Sequence, residues 1–93
     1  MSNDVIVLKL KNGTDLICRC DVDFKKGDDI NIDNPLQLQT ISEGGKIGVG
    51  MMPWMMASED TSFIINEKDI LTMGTPTNVM EKQYLSAITG LSL

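Results

Sequence analysis

Few residues of this chain have the types and spacing that chemistry requires. The candidates are the pair Cys18 and Cys20, the acidic stretches Asp21-Val22-Asp23 and Asp28-Asp29, and four methionines around Trp54 at positions 51, 52, 55 and 56. The sequence contains no histidine, which removes the commonest general base and the commonest neutral metal ligand. With no lysine at a recognisable serine–lysine spacing either, a serine or threonine nucleophile has no evident base, and we predict that the protein is not an enzyme.

The two cysteines are the strongest metal or redox candidates. Residues two apart in a strand point to the same side, so both thiols can converge. A zinc site needs two further ligands, and the sequence has no other cysteine and no histidine. Neighbouring cysteines on one strand face are also poorly placed for a disulfide with each other. We predict free, buried thiols that act as small apolar side chains, with no metal and no cofactor.

The acidic stretches offer carboxylates to a hard cation. They lack the spacing and the closing glutamate of a calcium-binding EF-hand loop, and runs of charge are usually solvated. Thirteen acidic and eight basic residues give a net charge of −5 and an isoelectric point near 4.4. This balance disfavours general capture of a nucleic acid backbone, which requires positive charge.

The methionine-rich segment around Trp54 has three interpretations. Methionine thioethers bind Cu(I), but the regular spacing with polar residues between them is missing. Glu59 and Asp60 follow closely and disfavour an anionic lipid surface. Tryptophan and methionine are enriched in interface cores. We therefore predict that this segment is buried, within the fold or between protomers, and that it does not contact a membrane.

The pattern along the chain predicts one domain over residues 1–93, with a β-barrel at about 4–74 and a helix at about 78–90. Asn12-Gly13 and Gly44-Gly45 mark turns between apolar–polar alternating segments. Asn34-Pro35 predicts a bulge or bend, after which Leu36 and Leu38 continue with period two.

No run approaches the ~20 apolar residues that cross a bilayer, and the N-terminus lacks the basic region of a signal peptide, so we expect a cytoplasmic protein.

From Asn78 onward, apolar residues recur at helical spacing. Asn78 followed by Glu81 predicts a capping box, and Gly90 is placed to end the helix. Tyr84 lies on the apolar stripe, and we predict that it packs rather than stacks on a base.

Several segments resemble a known family. "V-L-K-L-K-N-G-T-D-L" (residues 7–16) resembles the opening of the first Sm motif of Sm-like (LSm, Hfq-type) proteins. "I-N-I-D-N-P-L-Q-L" (30–38) is similar to a later strand of that motif, and "I-L-T-M" (70–73) is similar to the end of the second Sm motif. "N-P-L-Q-L", "G-V-G-M-M-P-W-M" and "Y-L-S-A-I-T-G-L" further resemble the small Sm-like proteins of tailed phages of marine cyanobacteria.

The resemblance implies a mainly β fold: a small, strongly bent, five-stranded Sm-like (SH3-like) barrel, here with a C-terminal α-helix. It also implies a homo-oligomeric ring, associated with RNA and not catalytic. We expect the ring interface to include Met52, Trp54, Met55, Ile64, Ile65 and Ile70. The alternative function is a protein-binding adaptor or structural phage protein, with a phage or host partner in the cytoplasm of the infected cell.

The resemblance also implies positions for RNA. Sm rings hold uridine-rich strands with an asparagine and an Arg-Gly pair, which align with Asp28 or Asp29 and with Asn66-Glu67. Acids replace the amide in the first case, and the basic residue is lost in the second. Several such acids around one pore would repel phosphate, so the usual uridine mode is not expected.

Overall fold

Alternating apolar and polar residues produce short antiparallel strands, and the change to helical spacing near residue 78 produces one helix. The computed structural model describes residues 4–91, with only the backbone for residues 90 and 91. The elements are β1 Asp4–Leu10, β2 Asp15–Cys20, β3 Asp29–Glu43, β4 Lys46–Pro53, β5 Ser62–Asn66, a 3₁₀ turn Glu67–Asp69, β6 Ile70–Gly74 and α1 Asn78–Leu91. The predicted class, mainly β with a C-terminal helix, is confirmed.

The strands form one antiparallel sheet in the order β4-β3-β2-β1-β6. β4 pairs with the second half of β3, and β5 pairs with its first half, both on the side opposite β2. β4 and β5 therefore take the place of one strand that residues 54–61 interrupt. This arrangement reconciles six strand segments with a five-stranded barrel. In the described part of the chain, the sheet has free edges at β6 and along β4 and β5.

Two of the predicted turns depend on residues that accept positive φ. Gly13 has φ +94°, and the Asn12 side-chain oxygen accepts a 3.0 Å hydrogen bond from the Thr14 N–H. Gly44 and Gly45, at φ +59° and +83°, connect β3 to β4 as the central residues of a two-residue hairpin loop. Such loops favour glycine because a Cβ is disfavoured at positive φ.

A bulge at Asn34-Pro35 changes which face of β3 points inward. Ile17 pairs with Leu36 but Arg19 pairs with Asp33, so three steps on β3 match two on β2. The extra residue is accommodated by Asn34 at φ +50°. Even-numbered residues of β3 therefore point into the barrel before the bulge and toward the helix side after it. Simple alternation of apolar and polar residues does not predict this change of face.

The two faces of the sheet build two apolar clusters. The interior cluster, inside the barrel, consists of Ile6, Leu8, Leu10, Leu16, Cys18, Cys20, Ile30 and Ile32. The helix-side cluster, between the outer face and α1, consists of Ile17, Leu36 and Tyr84, with Val5, Val7, Leu38, Met51, Leu85, Ala87 and Ile88 partly buried against it. β1 alternates between them, so one strand supplies both cores.

The helix α1 begins differently from the prediction. The Thr77 hydroxyl accepts a 3.2 Å hydrogen bond from the Met80 N–H, and the Thr77 carbonyl accepts one of 2.9 Å from the Glu81 N–H. Thr77 is thus the N-cap, and the predicted capping box at Asn78 is wrong. The helix also continues through Gly90 to Leu91 rather than ending at the glycine. Within residues 4–91, no helix has the length and apolar character needed to span a bilayer.

Candidate functional site

The four positions that the sequence indicated for nucleic acid lie together. Strand pairing places Asn66 opposite Asp29. The Asn66 amide nitrogen donates to Asp29 Oδ1 at 3.0 Å and to the Gly27 carbonyl at 3.1 Å, while its oxygen accepts from the Lys68 N–H at 3.0 Å. The amide therefore fastens the loop before β3 to the 3₁₀ turn after β5.

Glu67 completes this connection. Its backbone N–H donates to the Asp28 carbonyl at 2.9 Å, and its carboxylate accepts from the Gly27 N–H at 2.8 Å. Asp28 Oδ2 accepts from the Lys25 N–H at 2.8 Å. We call Asp28, Asp29, Asn66 and Glu67 the polar cluster. Gly27, which the sequence did not single out, is the backbone position that both Asn66 and Glu67 contact.

The polar cluster is acidic, and two of its carboxylates accept hydrogen bonds from backbone N–H groups of the loop before β3. It contains three carboxylates and one amide, and among residues 4–91 no lysine or arginine forms an ion pair with them. No group of three cysteine, aspartate or glutamate residues in the described chain is arranged to hold a metal ion. The cluster is built to join two loops, and its field would repel a phosphate.

The cysteine thiols are buried and free, as predicted. Burial raises the pKa of Cys18 to about 12, and burial likewise raises the pKa of Cys20. Both thiols remain protonated at neutral pH, and a protonated thiol is a poor nucleophile and metal ligand.

Tyr84 is also buried, as predicted. Its hydroxyl lies 2.9 Å from the Asn34 carbonyl and 3.2 Å from the Asp33 carbonyl, and donates toward both. Burial raises its pKa. Tyr84 therefore joins α1 to the bulge in β3, and its ring is not open to a base.

The methionine-rich segment divides between two environments. Trp54 packs against the interior cluster and meets Phe63 edge to face, with ring centroids 6.2 Å apart. Met52 is half-buried, whereas Met55 and Met56 are exposed. The segment is therefore part of the fold at Trp54 and surface at the two later methionines.

The remaining residues predicted for the interface lie along the free edges of the sheet. Ile65 and Ile70 pack partly against the interior cluster. Ile64, opposite Asn31, points outward and is 71% exposed. Exposed apolar residues that the sequence analysis did not select for the interface include Leu71 on β6, and Ile47 and Val49 on β4. Alternation with Gly48 and Gly50 is the sequence signal that places Ile47 and Val49 on one face.

The family model described as Sm-like domain matches residues 7–85, which include most of β1, all later strands and the first half of α1. No curated protein matches the chain significantly.

Proposed function

Because the match over residues 7–85 makes this chain a member of the Sm-like domain family, we propose that it is a non-enzymatic protein that assembles into a homo-oligomeric ring. The observation that carries the proposal is the pair of free sheet edges, at β6 and at β5, on opposite ends of one sheet. Each edge bears an exposed apolar residue, 61% exposed at Leu71 and 71% exposed at Ile64.

Pairing β5 of one copy with β6 of the next would satisfy the free N–H and C=O groups of both edges. The two edges differ, so the contact is head to tail, and repeating it generates a ring when the rotation closes. The polar clusters of successive copies are then related by the ring axis. Three segments of the sequence resemble the small Sm-like proteins of tailed phages of marine cyanobacteria. This resemblance extends the proposal to a phage protein that acts in the cytoplasm of the infected cell.

The mass of the protein in solution tests the ring directly. We expect light scattering or native mass spectrometry at micromolar concentration to give one closed species whose mass is a multiple of 10.2 kDa. A stable monomer under these conditions would contradict the proposal and leave the adaptor role as the function to test. A series of masses that grows with concentration would indicate an open chain of subunits instead of a ring.

The acidic character of the polar cluster makes uridine-rich RNA a poor ligand at this position. We expect weak binding of oligo-uridine to the native protein even at low salt, where phosphate contacts are strongest. The variant Asp28→Asn with Glu67→Gln removes two charges per copy and retains oxygens that accept from the Lys25 and Gly27 N–H groups. Its affinity should rise by about ten-fold or more in fluorescence anisotropy, because several copies contribute.

The control for this measurement is Glu59→Gln with Asp60→Asn, which removes the same charge in the 54–61 segment. An equal rise in both variants would mean that net charge, not the polar cluster, limits binding. Tight oligo-uridine binding by the native protein would overturn this part of the proposal.

A further inference from the structure

A cavity lies in the gap between β4 and β5 that the 54–61 segment bridges. We propose that this cavity takes a lysine side chain from a partner polypeptide, with the ammonium group at two carboxylates and the aliphatic stem against an aromatic wall. The site does not use the hydrogen-bonding groups of the free sheet edges. It therefore goes beyond the ring proposed above and is tested separately from it.

Three parts of the fold enclose the cavity. Residues between 53 and 61 form one wall, the bulge at Asn34-Pro35 forms a second, and Ile88 of α1 forms a third. The Asn34 N–H donates to the Thr61 carbonyl at 2.6 Å, which fastens the segment to the bulge. The cavity has a volume of about 200 Å³. Pockets for whole drug-sized ligands have roughly 300–1,000 Å³, so this cavity suits a group the size of one side chain.

Two aromatic residues give the cavity an apolar wall that also attracts a cation. Trp54 and Phe63 both line it, with ring centroids 6.2 Å apart and ring planes 77° apart. Both side chains are only partly buried, so part of each ring remains accessible. The face of an aromatic ring is electronegative and attracts an ammonium group. The methylene stem of a lysine is apolar and packs against the same surface.

The rim of the cavity is negatively charged. Glu59 and Asp60 line it, and a 3.0 Å hydrogen bond from the Asp60 N–H to the Ser58 hydroxyl holds the turn that carries them. Within residues 4–91, no lysine or arginine lines the cavity, and neither carboxylate forms an ion pair. Carboxylates beside aromatic rings favour a positively charged group over a neutral or anionic one. A primary ammonium has three N–H donors for the carboxylate and hydroxyl oxygens.

Exposed methionines beside the cavity favour a polypeptide over a free amine. Met55 lines the cavity and is 46% exposed, and the next residue, Met56, is 69% exposed. Methionine side chains adapt to irregular partners and are enriched in interface cores. A small amine would leave both side chains in water, whereas the residues on either side of a bound lysine would cover them. The partner is therefore a segment in which apolar residues flank a lysine.

The fluorescence of Trp54, the single tryptophan, reports on the site directly. Titration of the native protein with the peptide acetyl-Gly-Leu-Lys-Leu-Gly-amide should change the emission along a saturable curve. The same peptide with Nε-acetyl-lysine retains the stem but loses the charge, and should bind about five-fold more weakly or worse. Butylammonium carries the cation without the flanking residues and should also bind more weakly. Equal affinity for butylammonium and the lysine peptide would overturn the assignment to a polypeptide.

Charge variants test the role of the two carboxylates. Glu59→Gln with Asp60→Asn should weaken binding of the lysine peptide by about five-fold or more, with the native circular dichroism spectrum retained. Asp23→Asn with Glu43→Gln is the matched control, because it removes the same charge at exposed positions outside the cavity. Its affinity should stay within about two-fold of the native value, since salt screens distant charges. An equal loss in both variants would mean that net charge alone attracts the peptide, and would overturn the site.

Amide chemical shifts locate the bound peptide. The changes should concentrate at residues 58–61 and at Ile88. Shifts centred on the polar cluster, or a Trp54 emission that never changes, would overturn the proposal. A monomeric protein that binds the lysine peptide would contradict the ring and leave this site standing, whereas a ring that does not bind it would overturn the site alone.

Discussion

Replacing Ile64 with lysine is expected to convert the proposed ring into monomers. Ile64 is 71% exposed in the single chain, so the substitution costs the barrel little. In the proposed ring, the same position lies on the β5 edge, where a lysine ammonium would be buried without a partner. Losing the isoleucine contact and desolvating a charge should cost ~3–5 kcal/mol per interface. That is more than a hundred-fold in the dissociation constant of each contact.

Analytical ultracentrifugation measures this change, and circular dichroism reports whether the barrel remains folded. Gln83→Lys is the control, because it adds the same charge at an exposed position of α1. We expect Gln83→Lys to assemble like the native protein. An Ile64→Lys protein that is folded and keeps the native mass would show that β5 is not the assembly edge.

Replacing Tyr84 with alanine should cause the largest loss of folding stability from a single residue. The aromatic side chain of Tyr84 is fully buried in the helix-side cluster, and replacing a large side chain with a small one at such a site costs about 3–5 kcal/mol. That is a large fraction of the roughly 5–10 kcal/mol expected for a domain of this size. Tyr84→Phe keeps the ring but removes the donor to the Asp33 and Asn34 carbonyls, and should cost about 1–3 kcal/mol.

Urea denaturation of these variants in the Ile64→Lys background separates folding from assembly. Gln83→Ala, exposed one residue earlier on α1, should change stability by less than about 0.5 kcal/mol. Burial raises the pKa of Tyr84, so the native state favours the neutral phenol. The stability that this group contributes is fully present below pH ~10, the pKa of an unfolded tyrosine, and is lost as the pH rises from there through the higher pKa of the folded state. A Tyr84→Phe protein as stable as the native one would show that water satisfies the two carbonyls.

Local chemistry made part of the fold predictable. Asn12-Gly13 and Gly44-Gly45 form turns because glycine accepts positive φ, and these turns fix the pairing of the strands that they join. The burial of Cys18 and Tyr84 followed from their positions on apolar stripes. The predicted position of the helix N-cap was wrong by one residue, because Thr77 and Asn78 are both residue types that cap helices well. Which of the two adopts helical geometry depends on the path of the chain from Gly74.

The bulge at Asn34-Pro35 was predicted as an interruption, but its effect on the two faces was not. Proline excludes one ladder hydrogen bond, whereas the number of residues that the partner strand skips depends on pairing with β2. The polar cluster could be located by resemblance because its two loops align with the Sm motifs. The bonds to Gly27 could not be predicted, since a backbone contact has no side-chain signature.

The bulge in β3 also affects how the protein can open. Because it reverses the strand's faces, the first half of β3 completes the interior cluster and the second half completes the helix-side cluster. Tyr84 holds the point of reversal through two backbone carbonyls. Neither cluster can separate from the sheet without disturbing the strand that the other requires. Slow amide exchange in β3 should therefore proceed through global unfolding, with both cores opening as one cooperative unit.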